Sequence, residues 1–212
     1  MLTLYAIPVS LYCAKTRIAL RFKHLDWSEV PPPGGYGSAE YQRIVASGNL
    51  PALDHDGFLL ADSEAIAEYL EEAFPMPPLL PKGAQDRARM RERGRFHDTR
   101  LEPALRALFG HLKPELRDAD LTARQSVALG ARLVQLARLL EDAPELPFGL
   151  GDCGYPVTFA WLDALAPRLD LAFDWPETVN AWRATLEAEP AVAAELAVYV
   201  PTLTRWLDGQ GV

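Results

Sequence analysis

Three short stretches of this sequence carry side chains able to do chemistry. Ser10-Leu11-Tyr12-Cys13 follows the apolar run from Leu2 to Ile7 and opens a helix-forming segment. A serine in that place caps the helix by accepting a backbone N–H. Cys13 is a second candidate nucleophile, although a cysteine one turn inside a helix is more often a small core residue. Leu50-Pro51 puts a proline at the mouth of a strand, where it donates no ladder hydrogen bond. Asp62-Ser63 sets an acid and a hydroxyl beside the free amides of a starting helix. That arrangement suits a ligand bearing a carboxylate and an ammonium; the plainer reading is a bare helix cap.

These stretches need elements to hold them. Asp56-Gly57 lies between Ala52-Leu53 and Phe58-Leu59-Leu60, a two-residue hairpin signal because glycine accepts the positive φ of such a turn. Ile66, Tyr69 and Leu70 then recur at helical spacing. Upstream, Leu2–Ile7 reads as a strand stopped by Pro8. Residues 12–24 read as a helix with Thr16, Ala19, Leu20 and the Lys23 stem inside, and Lys15, Arg17 and Arg21 partly wetted. A second strand falls near Trp27–Val30. Pro31 to Gly37 is a loop, and Ser38 opens a short helix ending near Ser47-Gly48. The order β-α-β-α-β-β-α through Phe74 suits an α/β thioredoxin-like sandwich.

Four prolines between Pro75 and Pro81 forbid helix and stiffen a linker. The expected organisation is therefore an N-terminal unit at 1–75, a linker at 76–83 and an all-α unit at 84–212. In the last, Leu101, Leu105, Leu108 and Leu112 form one apolar stripe, and Leu129, Leu133, Leu136 and Leu140 another. Thr122-x-x-Gln125 reads as a capping box for the second long helix, and Pro103 as a bend or shift in the first. Further helices are expected at 158–169, 176–188 and 190–197. The alternating arginines 87, 89, 91, 93 and 95 scatter over several helical faces, as on a solvated surface, with a share available to a partner subunit.

With 49% hydrophobic and 24% charged residues, the 212-residue chain can bury a sizeable core. A net charge of −8 argues against general nucleic-acid affinity. Two cysteines make no disulfide framework and no metal-ligand spacing appears, which favours a reducing cytoplasm. The N-terminus lacks a basic n-region and a cleavage site, and no apolar stretch approaches the ~20 residues of a membrane span.

Leu50-Pro51-Ala52-Leu53, Asp56-Gly57 and Asp62-Ser63-Glu64-Ala65-Ile66-Ala67-Glu68-Tyr69-Leu70 together resemble the glutathione-binding half of the glutathione transferase family. Lys15-Thr16-Arg17-Ile18-Ala19-Leu20 is similar to the segment that follows the serine of its tau and zeta classes. The resemblance implies a thioredoxin-like domain followed by an all-helical one, and glutathione as co-substrate, without a metal. It places Ser10 as the catalytic hydroxyl that hydrogen-bonds the glutathione sulfur and favours its thiolate. It makes Pro51 a cis proline and gives the Leu50 backbone to the cysteinyl part of glutathione. Ser63 would meet the γ-glutamyl carboxylate and Asp62 the ammonium. A homodimer is implied as well.

The sequence also departs from that pattern. Asn49 stands where a lysine or glutamine commonly meets the glycyl carboxylate, and offers a hydrogen bond without charge. Val45-Ala46 replaces a frequent Asn-Pro. The Ser/Thr-x-x-Asp box of the helical domain falls on Thr158-Phe159-Ala160-Trp161, keeping the cap and losing the acid. The thiolate would attack a small electrophile in a pocket lined by the 34–37 loop and the first long helix of the second domain, with His97 and Arg100 near its wall. A glutathione-dependent isomerase of the maleylacetoacetate type is the enzymatic alternative, and a non-catalytic binding protein on the same fold is the other. No motif names the electrophile.

Overall fold

A computed structural model describes residues 1–212. Its sheet has the order β2-β1-β3-β4, built from β1 (Leu2–Tyr5), β2 (Trp27–Val30), β3 (Ala52–His55) and β4 (Phe58–Ala61). β1 runs parallel to β2, with Leu2 opposite Trp27, and antiparallel to β3, with Leu4 opposite Leu53. The parallel pair needs a crossover, supplied by α1 (Leu11–Phe22). The β3–β4 hairpin turns at Asp56 and Gly57, both at positive φ (51° and 90°), matching the twist of the strands it joins. α2 is a single turn (Ala39–Gln42) capped by Ser38, shorter than expected because the chain breaks into turns before Gly48 at φ 67°. α3 (Ser63–Ala73) follows β4 directly.

α1 begins and ends earlier than the 12–24 reading: Ser10 caps it, and His24 at φ 53° closes it. Its basic residues are the larger correction. Lys15 and Arg17 are buried rather than partly wetted, because each meets carboxylates from distant parts of the chain. Arg17 Nε lies 2.6 Å from Glu195 Oε1, and Arg21 Nε 3.1 Å from Glu195 Oε2. Glu195 itself is buried, so this triad welds α1 to the last helix.

The helical part comprises α4 (Ala84–Phe96), α5 (Glu102–Arg106), α6 (Ala119–Glu141), α7 (Tyr155–Leu169), α8 (Glu177–Ala188) and α9 (Pro190–Gly209). Both leucine stripes are buried as their spacing requires. Pro103 does mark a shift: residues 97–101 form a π-turn in which the Glu102 N–H reaches back to the His97 carbonyl. Proline has no N–H to continue an α-helical ladder, and its ring would strike the carbonyl four residues earlier.

Several expected boundaries move. Asp118, accepting from Leu121 N–H, caps α6; Thr122 is inside the helix and makes no capping box. α7 starts at Tyr155, so Thr158 is an interior residue and not a cap. α9 continues past 197 because Tyr199, Leu203 and Leu207 extend one buried face. Arg93 leaves the solvated series: it is buried, its Nη2 donating to Asp152 Oδ2 at 2.9 Å. α4 can approach the 150–152 turn this closely because a Cβ on Gly151 would lie 2.1 Å from the Met90 carbonyl oxygen.

Candidate active site

Ser10 occupies the N-cap of α1, its Oγ accepting the Cys13 N–H at 3.3 Å. That bond uses an oxygen lone pair and leaves the hydroxyl proton free to donate. The Leu11 and Tyr12 amides at the same helix end have no backbone partner, as first-turn amides do not. A thiolate in front of Ser10 would therefore meet one O–H and the positive end of a helix. Cys13 faces the other way. It is fully buried, and burial pushes its thiol pKa up, which suits a core residue and not a nucleophile.

The Leu50–Pro51 bond is cis. Leu50 precedes β3, and neither its N–H nor its carbonyl bonds elsewhere in the chain. It thus offers both groups of one residue to an extended ligand backbone. Beside it, Asn49 accepts the Tyr36 hydroxyl at 3.2 Å through Oδ1, leaving its amide N–H groups unpartnered.

Asp62 is the N-cap of α3: one carboxylate oxygen takes the Glu64 and Ala65 amides at 2.9 and 3.1 Å. Its φ of 80° lies outside the regions favoured by non-glycine residues, a conformation costing about 1–3 kcal/mol that tends to cluster at ligand sites. The second oxygen of Asp62 is uncommitted. Ser63 is 7% exposed, and its N–H makes no backbone bond. Asp62, Ser63, Leu50 and Asn49 line one pocket, which Arg95, Asp98 and Thr99 close from the helical side.

Asp98 was not legible as a site residue. Burial alone would raise its carboxyl pKa, but the His97 hydrogen bond and the Lys15 charge hold it down at about 2. Lys15 Nζ lies 2.8 Å from Asp98 Oδ2 and 2.7 Å from Glu64 Oε2. His97 is buried between Asp98 Oδ1 and Thr158 Oγ1, each at 2.7 Å, so it supports the pocket floor instead of lining an electrophile wall. Arg100 is exposed and lines no part of either cavity. Asp98 carries no sequence signal of its own, and Thr158 is singled out by sequence only as a cap; its pairing with His97 exists only once the π-turn brings that ring to it.

A larger cavity of about 550 Å3 adjoins this pocket, sharing Tyr12, Asn49 and Leu50 with it. Ser10 opens into it. Tyr36 from the 34–37 loop is on one side, and Arg106 and Phe109 are on another, close to the walls expected. Trp161 of α7 and Trp206 of α9 complete it and were not anticipated. Trp161 stacks on Phe109 with centroids 4.5 Å apart and is fixed by donating its Nε1–H to Tyr199. Tyr12 stands at the junction of the two cavities, donating its hydroxyl to Glu102 Oε2 at 3.1 Å. Burial, then Glu102 and Asp98, drive its pKa up. With its proton committed, Tyr12 is not the group that ionises a thiol.

The sequence model of the family described as "Glutathione S-transferase, N-terminal domain" matches residues 4–78. Among curated proteins, glutathione S-transferase Z2 of Arabidopsis thaliana is 28% identical over 196 residues, covering 91% of this chain and 83% of that protein. A maleylacetoacetate isomerase of Rattus norvegicus is 42% identical over 82 residues, but the match spans only 36% of this chain and 38% of the isomerase. The fold of a delta-class glutathione transferase from Nilaparvata lugens superposes with a TM-score of 0.82 at 22% identity, covering 99% of this chain and 100% of that one. A Bombyx mori glutathione transferase gives 0.81 at 22% identity, over 99% and 97% of the two chains.

Proposed function

The chain belongs to the glutathione S-transferase family, and from that premise we propose that it binds glutathione along Leu50, Asp62 and Ser63 and activates its thiol at Ser10 for attack on a small electrophile. The observation that carries this reading is the continuity of the two cavities. A polar pocket built for an amino acid's charged end runs, past an unpaired backbone at Leu50, into an aromatic cavity whose mouth is Ser10. Glutathione has that sequence of groups: a γ-glutamyl end, a cysteinyl amide and a sulfur. Its thiolate forms the new bond to the electrophilic carbon. The displaced group leaves with the electron pair, or a proton completes an addition.

Isomerase action is the second reading, favoured by the match to the rat enzyme. It uses the same thiolate: the sulfur adds to a double bond, the resulting single bond rotates, and the sulfur leaves. Glutathione is consumed in the first reading and returned in the second.

Ser63→Ala tests the ligand's orientation. Losing a hydrogen bond to a carboxylate should raise the glutathione KM roughly tenfold and leave kcat little changed. Asp62→Asn keeps the capping oxygen and removes the charge. It should weaken glutathione yet affect an analogue lacking the α-amino group much less. Equal losses for both ligands, measured by calorimetry, would take Asp62 off the ammonium.

The working unit of this reading is a cytoplasmic homodimer that joins the outer surfaces of α3 and α4. Its support is the exposure of Phe58 (52%), whose ring packs on Tyr69 of α3, and of Met76 (74%), just past the end of α3, side chains of a kind that interfaces cover. Light scattering at micromolar concentration in moderate salt should give twice the mass of the 23.5 kDa chain; a monomer would refute it.

A further inference from the structure

The segment that delivers Ser10 is weakly tied to the sheet. The Ala6 N–H reaches the Val30 carbonyl at 3.0 Å, and the Ser10 N–H turns back only to the Ile7 carbonyl at 3.2 Å. The carbonyls between them, those of Pro8 and Val9, accept no backbone N–H. Side chains hold both, and both holds trace to α9. Tyr199 donates its hydroxyl to the Val9 carbonyl at 2.8 Å. Arg17 Nη2 donates to the Pro8 carbonyl at 3.3 Å, and Glu195 fixes Arg17 through Nε at 2.6 Å. Glu195 and Tyr199 stand one turn apart on the buried face of α9.

Tyr199 is the more direct of the two. It is 1% exposed, and burial drives its pKa up, so it keeps its proton. Its oxygen accepts the Trp161 indole N–H at 2.7 Å, and its single proton goes to Val9. A peptide unit is planar, so a bond to the Val9 oxygen orients the unit that carries the Ser10 N–H and Cα. Trp161 is also a wall of the aromatic cavity. We propose that Tyr199 is the positioning residue for Ser10, through which the helical part of the chain aims the serine hydroxyl at the sulfur. This rests on the reading of Ser10 as the group that activates the thiol. No bond changes at Tyr199: it orients the donor and takes no proton from the substrate.

Tyr199→Phe keeps the ring and removes the hydroxyl. In the full chain, kcat for glutathione conjugation should fall about tenfold, since a misplacement of ~1 Å at a reacting group can cost on the order of 100-fold. The glutathione KM should change little, because Leu50, Asp62 and Ser63 are untouched. The ultraviolet titration of the bound thiolate, read without any electrophile, should move up toward the free-thiol value of about 8.5. A role confined to stability would lower the unfolding temperature and leave that titration in place; this result would overturn the proposal. Ser10→Ala supplies the separating arm. If it lowers kcat and Tyr199→Phe adds no further loss in that background, the two residues act as one unit. An equal loss from Tyr199→Phe with and without the serine hydroxyl would overturn the link between them. No loss in Ser10→Ala alone would remove the reading of Ser10 itself, and the positioning role with it. Tyr199→Phe orphans the buried Trp161 N–H, which is costly. Should that variant not fold, the same titration on Trp161→Phe against Trp161→Phe/Tyr199→Phe makes the comparison with no orphaned donor. A thiolate titrating at the same pH in both would overturn the proposal.

Discussion

Replacing Ser10 by alanine should lower kcat for glutathione conjugation by about 10–100-fold, the kinetic equivalent of losing one hydrogen bond to an anion. Ser10 spends its oxygen on the Cys13 amide and keeps its proton for the sulfur. The donor matters only after the thiol ionises, so glutathione affinity should change little and the loss should fall on kcat. A free thiol has a pKa of about 8.5. Without the serine, the ultraviolet titration of the bound thiolate should shift toward that value, and the pH–rate profile should move up with it. The first α1 amides remain, so the shift should stop short of complete loss. Loss of the capping bond destabilises α1 by about 1 kcal/mol, which thermal unfolding separates from the kinetic effect. Unchanged kinetics in Ser10→Ala, with a loss in Cys13→Ala, would transfer the role to the cysteine against its burial.

Glu71→Ala should destabilise the protein by about 3–5 kcal/mol, a large part of the 5–15 kcal/mol that holds a typical domain folded. Lys23 sends its fully buried ammonium to Glu71 Oε2 at 2.7 Å and to the carbonyls of Phe74 and Pro77 at 2.6 and 2.9 Å. Glu71 in turn accepts the Leu79 and Leu80 amides at 2.8 and 3.1 Å. Five hydrogen bonds thus tie the end of α1, α3 and the segment between α3 and α4 into one cluster. Removing Glu71 leaves a buried cation without a counter-charge and two amides without an acceptor. Lys23→Met removes the charge that makes this so costly. The double variant should therefore be far less destabilised than the sum of the singles, a non-additivity readable by urea unfolding. Additive losses would show that the pair does not act as a unit. Because both cavities have walls from either side of this segment, glutathione binding should weaken in Glu71→Ala before the protein unfolds globally.

Local signals were enough for much of the architecture. The Asp-Gly turn, the caps at Ser10 and Asp62 and the leucine stripes each depend on neighbours within one helical turn or one hairpin. All are where the sequence places them. The same holds for Ser10, Leu50 and Ser63, whose backbone settings are local: a strand end, a proline and a helix start. The failures have a common cause. Lys15 and Arg17 look like surface residues until Glu64, Asp98 and Glu195 arrive from other helices to neutralise them. Thr158 looks like a cap until His97, on the π-turn made necessary by Pro103, claims its hydroxyl. Arg106, Phe109, Trp161 and Trp206 carry no shared spacing, yet they form one cavity because three helices converge there. A charge or an aromatic ring takes its free energy from whatever surrounds it, and that surrounding is assembled only by the tertiary fold. The settings of Leu50, Asp62 and Ser63 could be read from the chain because backbone geometry builds them, while the aromatic cavity beside Ser10 is lined by side chains that meet only in the folded protein.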